Sequence, residues 1–365
     1  MQLEGIRILD FSQYIPGPYA GLRLAKLGAE VIKLEPLAGD PARTEGGEKA
    51  GSGIVFEVFN RGKKSITVNL KSKEGQRIAE ELAKSSNVLI ESFRPGVMRR
   101  LGLHYDHLKQ VKPGLIYCSI SGYGQSGGMA PLGSHDLNYM ALSGVLSQFR
   151  DAHGKPVHPS ISIADYIGGM AASEQILAAL VRFERTGKGE YLDISILGAT
   201  ASMLELHTRL ESHTGTRHGL SLLAGDMLSY CIYETKDHRY VSLGAIEPKF
   251  WRNFCQAANR PDWIAAQTFP ATSDNPVYRE IVSLFRSRTL EEWGRFGLEA
   301  DCCLTPILEA GEIDKPPYSA QFRQMIADDA MEPAPKLGEH TSDLLMRILN
   351  KTDREIGEYR AQGII

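Results

Sequence analysis

The first 125 residues alternate short apolar runs with segments of helical periodicity. The runs "IRILDFS", "AEVIKLEP", "SITVNL", "NVLIESF" and "GLIYCSIS" are apolar or β-branched and predict strands. The segments "GPYAGLRLAKLG" and "KEGQRIAEELAKSS" carry apolar residues at helical spacing, and Gly28 is placed to end the first of them. Strands that alternate with helices favour right-handed βαβ units, so we expect a mainly parallel sheet covered on both faces.

The second half of the chain predicts a long helix and then a different kind of unit. The helix begins near residue 164 in "ADYIGGMAASEQILAALVRFERTGKG" and should stop at Gly187, before the strand "EYLDISIL". A hairpin turning at Lys236–His238 and three amphipathic helices follow. We therefore expect a large α/β domain over 1–200, a linker over 201–225, a small domain over 226–325 and a C-terminal segment over 326–365.

Composition narrows the class of protein. The chain has 365 residues, of which 42% are hydrophobic and 23% charged, and its net charge is −3. Because no long lysine or arginine run is present, we expect no nucleic-acid partner. Five cysteines without CxxC spacing, no signal-peptide pattern and no apolar run of about 20 residues predict a cytoplasmic protein that does not cross a membrane and has no metal site.

Acidic or imidazole residues stand at three predicted helix starts. His135 and Asp136 open the run "SHDLNYMALSG", Asp165 precedes two glycines of the long helix, and Glu247 precedes a proline in "GAIEP". Each has an ordinary explanation, because such residues commonly cap helices. Each also has a functional one, since a carboxylate or imidazole beside glycines suits proton transfer to a bound ligand.

Cations occur near several predicted strand ends. They are Arg43, Lys63 and Lys64 in "NRGKK", and Arg94 in "SFRPG". Taken singly each is typical of solvated surface charge, whereas together they could receive phosphates. The glycine-rich segments contain no Walker lysine, so the sequence does not favour a nucleotide hydrolase.

An ordered set of motifs carries a resemblance to a known family. The segments "ILDFS…PGPYAG…LGAEVIKLEP", "NRGKKSITVNLKS", "NVLIESFRPGVMRRLGL", "LIYCSISGYGQSG", "ERTGKGEYLDISIL" and "APKLGEHTSDLL" resemble those of the class III CoA-transferase (CaiB/BaiF) superfamily. Within it, "SHDLNYMALSG" and "GAIEP" are similar to the G-H-D-I-N-Y-L-A-L-S-G and G-A-I-E-P runs of alpha-methylacyl-CoA racemases.

The resemblance implies an architecture and a site. A Rossmann-like, doubly wound large domain would include the C-terminal tail, a smaller α+β domain would be inserted, and two chains would interlock as a homodimer. His135, Asp165 and Glu247 would be catalytic, with Glu247 reaching the site from the partner chain. The four cations named above would lie near coenzyme A, which would be part of the substrate, and no prosthetic group would be needed.

Three functions stay open on the sequence. The first is racemisation or epimerisation of a 2-methylacyl-CoA by proton transfer at the alpha carbon, with His135 and Asp165 on opposite faces. The second is transfer of CoA between carboxylic acids through an aspartyl-CoA thioester on Asp165. The third is a protein that binds CoA thioesters without catalysis. Backbone N–H groups at the helix start after Asp165 are candidates to stabilise an enolate oxygen in the first case.

Overall fold

The computed structural model describes residues 1–49, 52–151, 153–220, 223–320 and 331–365. The chain divides into two compact units, one formed by Met1–Glu205 with Asp329–Ile365 and the other by Leu206–Asp328. The first unit therefore contains the alternating α/β half of the sequence together with the C-terminal tail. Residues 326–330 of the predicted C-terminal segment lie outside the described residues.

A six-stranded parallel sheet forms the centre of the first unit. Its strands are β1 (Arg7–Asp10), β2 (Glu30–Glu35), β5 (Lys64–Thr67), β6 (Val88–Glu91), β7 (Ile116–Ser121) and β8 (Glu190–Ser195), and a separate pair is formed by β3 (Glu48–Lys49) and β4 (Ser52–Gly53). The order is β5-β2-β1-β6-β7-β8, with every neighbouring pair parallel. The order reverses between β1 and β6, and ligands of doubly wound sheets bind beyond the strand ends at such a point.

Helices cover both faces of this sheet, as the alternation predicted. They are α1 (Pro16–Lys26), α2 (Ile54–Asn60), α3 (Lys73–Lys84), α4 (Val97–Arg100), α5 (Tyr105–Val111), α6 (Asp136–Leu142), α7 (Ile163–Thr186), α8 (Ile196–Ala201), α13 (Thr341–Leu349) and α14 (Asp353–Ala361). One face buries Leu24 of α1 and Ile176 of α7, and the other buries Leu82 of α3 and Leu344 of α13. The C-terminal tail thus completes the second face.

The two glycines that follow Asp165 serve helix packing. A Cβ on Gly169 would lie 2.6 Å from the carbonyl oxygen of Pro16, and one on Gly168 would lie 2.9 Å from Ile196. The functional interpretation, in which these glycines let a ligand approach the backbone, is not supported, because α1 and α8 occupy the space beside them.

The second unit has its own core. After α9 (Glu205–Thr214), the strands β9 (Tyr230–Glu234), β10 (Tyr240–Gly244) and β11 (Leu304–Pro306) form an antiparallel sheet, with α10 (Pro248–Ala257), α11 (Pro276–Phe285) and α12 (Leu290–Ala300) around it. Trp251, Trp263 and Trp293 are fully buried there. The predicted hairpin and three helices are confirmed, while α9 lies within the residues expected to form a linker.

Among the residues that the structure describes, no helix is both long enough and apolar enough to span a membrane.

Candidate active site

The start of α6 is built around His135. This residue has an extended backbone, with φ −136° and ψ 175°, and is the residue that caps the helix, while Asp136 is the first helical residue. The His135 N–H donates to Asn138 Oδ1 at 3.0 Å. From the sequence Asp136 is the better candidate for the cap, and this interpretation is wrong because the chain turns helical one residue earlier.

Two hydrogen bonds to one carbonyl orient the histidine. His135 Nδ1 lies 2.8 Å from the carbonyl oxygen of Ser134, so in the neutral ring this nitrogen carries the proton. The Tyr139 hydroxyl lies 3.3 Å from the same oxygen and accepts from Ser134 Oγ at 2.8 Å. A Cβ on Gly122 would approach the Tyr139 hydroxyl to 2.5 Å, so the glycine after β7 makes room for this tyrosine.

This arrangement leaves one ring nitrogen of His135, Nε2, available to act as a base. The side chain is exposed, and no described residue hydrogen-bonds to its Nε2. A neutral imidazole with Nδ1–H held by a carbonyl presents the lone pair of Nε2 to a ligand. That is the form a general base needs.

Asp165 lies at the first turn of the neighbouring helix. Because α7 begins at Ile163 after Ser162, Asp165 is its third residue and not its cap. Its backbone N–H donates to Asp136 Oδ1 at 3.0 Å. The start of α6 is thereby joined to the start of α7, which brings the segment containing His135 to the segment containing Asp165.

The Asp165 carboxyl titrates near neutrality. Burial, and secondarily the negative charge of Asp136, raise its pKa from 3.8 to about 7. At neutral pH this side chain is therefore a mixture of carboxylic acid and carboxylate, able to give or take a proton.

The predicted enolate donors at this helix start are already engaged. The N–H of Asp165 bonds to Asp136, and the N–H of Tyr166 bonds to the carbonyl of Ser162 at 3.3 Å. These two groups are therefore not free to receive an enolate oxygen.

Glu247 belongs to the second unit. It precedes α10, whose first residue is Pro248, as the sequence predicted. Its side chain is exposed and does not cap the helix. The carboxylate thus has no hydrogen bond within the described residues and is available to another group.

Of the four cations, Arg94 lies beside the candidate site. It is exposed, and a Cβ on Gly133 would lie 2.9 Å from its guanidinium nitrogen, two residues before His135. In the described part of the chain it forms no ion pair, so its charge is available to an anion.

The other three cations are engaged in the fold. Lys63 Nζ is buried and bonds to Asp10 Oδ2, Asn60 Oδ1 and the Pro18 carbonyl, each at 2.9 Å, which uses all three of its protons. Arg43 forms two 2.7 Å bonds to buried Glu35. Lys64 begins β5 at the amino end of the sheet and pairs with Glu30 at 3.0 Å.

Sequence reasoning missed the roles of Asp136 and Tyr139. Asp136 was weighed only as a cap of its own helix, whereas it caps the next one. The signal for Tyr139 was Gly122 in "SGYG", since a glycine directly after a buried strand indicates close approach of another group.

An imidazole and a carboxyl that titrates near neutrality stand at two helix starts joined by a hydrogen bond, and they define a candidate acid–base site on a doubly wound α/β fold. Comparison with known proteins gives its family. The family model described as CoA-transferase family III matches residues 3–341, so the chain belongs to that family.

Curated relatives within this family differ in their reactions. Human succinyl-CoA:glutarate CoA-transferase is 30% identical over 401 residues, covering all of this chain and 90% of the relative. Human alpha-methylacyl-CoA racemase is 29% identical over 372 residues, covering 94% of this chain and 93% of the relative. A crystal structure of a CaiB/BaiF family protein from Brucella suis has a TM-score of 0.79 at 25% identity, covering 94% of this chain and 98% of that one.

Proposed function

We propose that this protein is an acyl-CoA racemase or epimerase acting at the alpha carbon of a 2-methylacyl-CoA thioester. The observation that carries the proposal is the pairing of His135, whose Nε2 is available, with Asp165, whose pKa lies at about 7. An inversion by two bases needs one group that removes the alpha proton and another that delivers a proton to the opposite face.

A carboxyl that titrates near neutrality suits a reaction that runs in both directions. His135 removes the proton from one face while the Asp165 carboxylic acid protonates the other, and the roles reverse for the opposite enantiomer. A carboxyl whose pKa lies at about 7 is present both as acid and as base at neutral pH, so Asp165 can serve in either direction. An ordinary aspartate, fully ionised at neutral pH, would be a poor acid.

The same feature weighs against nucleophilic catalysis by Asp165. A CoA-transferase of the alternative mechanism requires the carboxylate to attack the thioester, and only the ionised fraction is a nucleophile. A pKa of about 7 leaves a substantial protonated fraction at neutral pH. Because one relative is named as a CoA-transferase, CoA transfer is the competing outcome of the test described below.

Coenzyme A enters the proposal as part of the substrate, and Arg94 is the cation that we assign to its phosphates. Its exposure and its position beside Gly133 support this choice over Lys63, Lys64 and Arg43, whose charges are paired. We expect Arg94→Ala to raise KM for the acyl-CoA about tenfold with little change in kcat, since a charge-assisted bond contributes about 1.5 kcal/mol.

A matched control exists for the arginine. Arg99 is exposed and pairs with Asp106 at 3.2 Å, so Arg99→Ala removes the same charge from the next helix. Equal KM values for the two variants would contradict the assignment of Arg94.

We also propose that two chains form an interlocked homodimer in which Glu247 of one chain completes the site that holds His135 and Asp165 of the other. A complementation experiment tests this directly. A His135→Ala chain and a Glu247→Ala chain, each inactive alone, are co-expressed with different tags and the heterodimer is purified. Half of the wild-type activity per dimer is expected if each site combines residues of both chains. No recovery would show that both residues act within one chain.

The reaction itself is tested with one enantiomer of 2-methylacyl-CoA in heavy water, with and without a free carboxylate acceptor. The proposal predicts inversion with incorporation of solvent deuterium at the alpha carbon, independent of the acceptor. Acceptor-dependent CoA transfer, with an acyl-enzyme trapped by hydroxylamine at Asp165, would establish the alternative. Binding of the thioester with neither reaction would establish the non-catalytic function.

A further inference from the structure

We propose that the Asp136 side chain is the positioning residue of this site: it fixes the first turn of α7 through the Asp165 N–H and holds a second carboxylate at the helix start that carries Asp165. The catalytic meaning of this inference rests on the proposed function, whereas the effect on Asp165 does not. Nothing in the reaction requires Asp136 to touch the substrate.

The geometry shows a cap supplied by a neighbouring helix. The first N–H groups of a helix have no partner within it, and a serine before the helix usually supplies one. Ser162 precedes α7, yet its hydroxyl does not cap the helix. Asp136 Oδ1, from the first residue of α6, accepts the Asp165 N–H at 3.0 Å instead. The position of Asp165 is therefore fixed by a residue 29 positions earlier.

The same contact places two carboxylates together. The helices α1, α6 and α8 pack against the first half of α7, and α8 carries no charged or titratable side chain. From α6, the groups that interact with Asp165 are Asp136 and Tyr139. From α1, Tyr19 faces Tyr166, and the Arg23 guanidinium bonds to Ser173 Oγ, two turns further along.

No described cation therefore lies among the groups that act on Asp165. Burial and the Asp136 charge both favour the neutral acid, and neither is opposed. His135, directly before Asp136 in the chain, is the proposed second base. The pair His135 and Asp165 needs one shared proton to be active, so the Asp136 charge sets the lower end of the active pH range.

The central variant is Asp136→Asn. Asparagine retains an oxygen that can accept the Asp165 N–H but removes the charge, whereas Asp136→Ala removes both. Asp343→Asn is the matched control, because it removes an exposed carboxylate from the first turn of α13 in the same unit. Circular dichroism establishes that each variant is folded.

Two readouts are used, of which the first does not depend on activity. Infrared difference spectra against Asp165→Asn follow the protonated Asp165 carboxyl band as a function of pH. We expect its midpoint to fall by about one pH unit in Asp136→Asn and to stay unchanged in Asp343→Asn. The second readout is the pH profile of kcat/KM for inversion, whose acid limb should move to lower pH by the same amount.

The outcomes separate this inference from the proposed function. An unchanged Asp165 midpoint in Asp136→Asn would overturn the inference, even if inversion is observed in the wild type. A lowered midpoint in a protein that catalyses no inversion would support the electrostatic role and overturn the proposed function. Asp136→Glu restores the charge, and recovery of the wild-type acid limb in this variant would further support the inference. A pH profile of kcat/KM in Asp136→Glu equal to that of Asp136→Asn would contradict it.

Discussion

Replacing Asp165 with asparagine should stabilise the protein at alkaline pH. The folded state raises the pKa of this carboxyl from 3.8 to about 7, first through burial and then through Asp136. The folded protein therefore binds this proton more tightly than the unfolded chain does. That contribution is fully present below pH 3.8 and is lost as pH rises through about 7.

The magnitude follows from the size of the pKa change. Each pKa unit corresponds to about 1.4 kcal/mol, so a change of about 3 units sets an upper value of about 4 kcal/mol. Because the Asp165 side chain is only partly buried, water relaxes around the charge, and we expect ~2–4 kcal/mol. Asparagine does not titrate, so the free energy of unfolding of Asp165→Asn should rise by this amount relative to that of the wild type between about pH 4 and pH 8.5.

The assay is urea denaturation of both proteins at several pH values and one protein concentration. Asp343→Asn again serves as the control, since its carboxylate is exposed and should give no comparable dependence on pH. The argument is refuted if the free energies of unfolding of Asp165→Asn and the wild type differ by the same amount at every pH in this range. Such a result would mean that folding does not change the proton affinity of Asp165.

Three further predictions concern the frame around the site. Glu91 is buried at the end of β6, and burial raises its pKa to about 7. Glu91→Gln should therefore raise the free energy of unfolding by up to about 3 kcal/mol at pH 8.5 and leave it unchanged at pH 4, as measured by urea titration. Lys63→Met leaves the Asp10 carboxylate buried without its partner and should lower the free energy of unfolding by about 3–5 kcal/mol. In a double-mutant cycle, adding Asp10→Asn should recover much of this loss. Gly169→Ala places a Cβ 2.6 Å from the Pro16 carbonyl oxygen and should lower Tm by several degrees, whereas an unchanged Tm would show that α1 and α7 can separate freely.

The sequence predicted the doubly wound sheet because its strands and helices alternate with distinct periodicities. It placed the start of α7 within one residue and its end at Gly187, whose φ of +65° suits glycine. These features depend on residues close together in the chain, which is why pattern alone identifies them.

Features that depend on distant residues were not predicted. Asp136 caps a helix that begins 27 residues later, and no local pattern distinguishes it from a residue that serves its own helix. Lys63 was grouped with surface cations, yet Asp10 holds it in the core from 53 positions away. The resemblance to a family identified His135 and Asp165 as a pair, and the structure supplies the contact through Asp136 that joins their helices.

The most direct test of the central claim is the fate of the alpha proton in single-residue variants. One enantiomer of 2-methylacyl-CoA is incubated in heavy water with wild type, His135→Gln and Asp165→Asn, and both the configuration and the deuterium content of the alpha carbon are measured. The account predicts that the wild type inverts the centre with one solvent deuterium in the product, and that each variant loses inversion by at least about 100-fold, as general acid–base groups contribute. Inversion at the wild-type rate in either variant would contradict it.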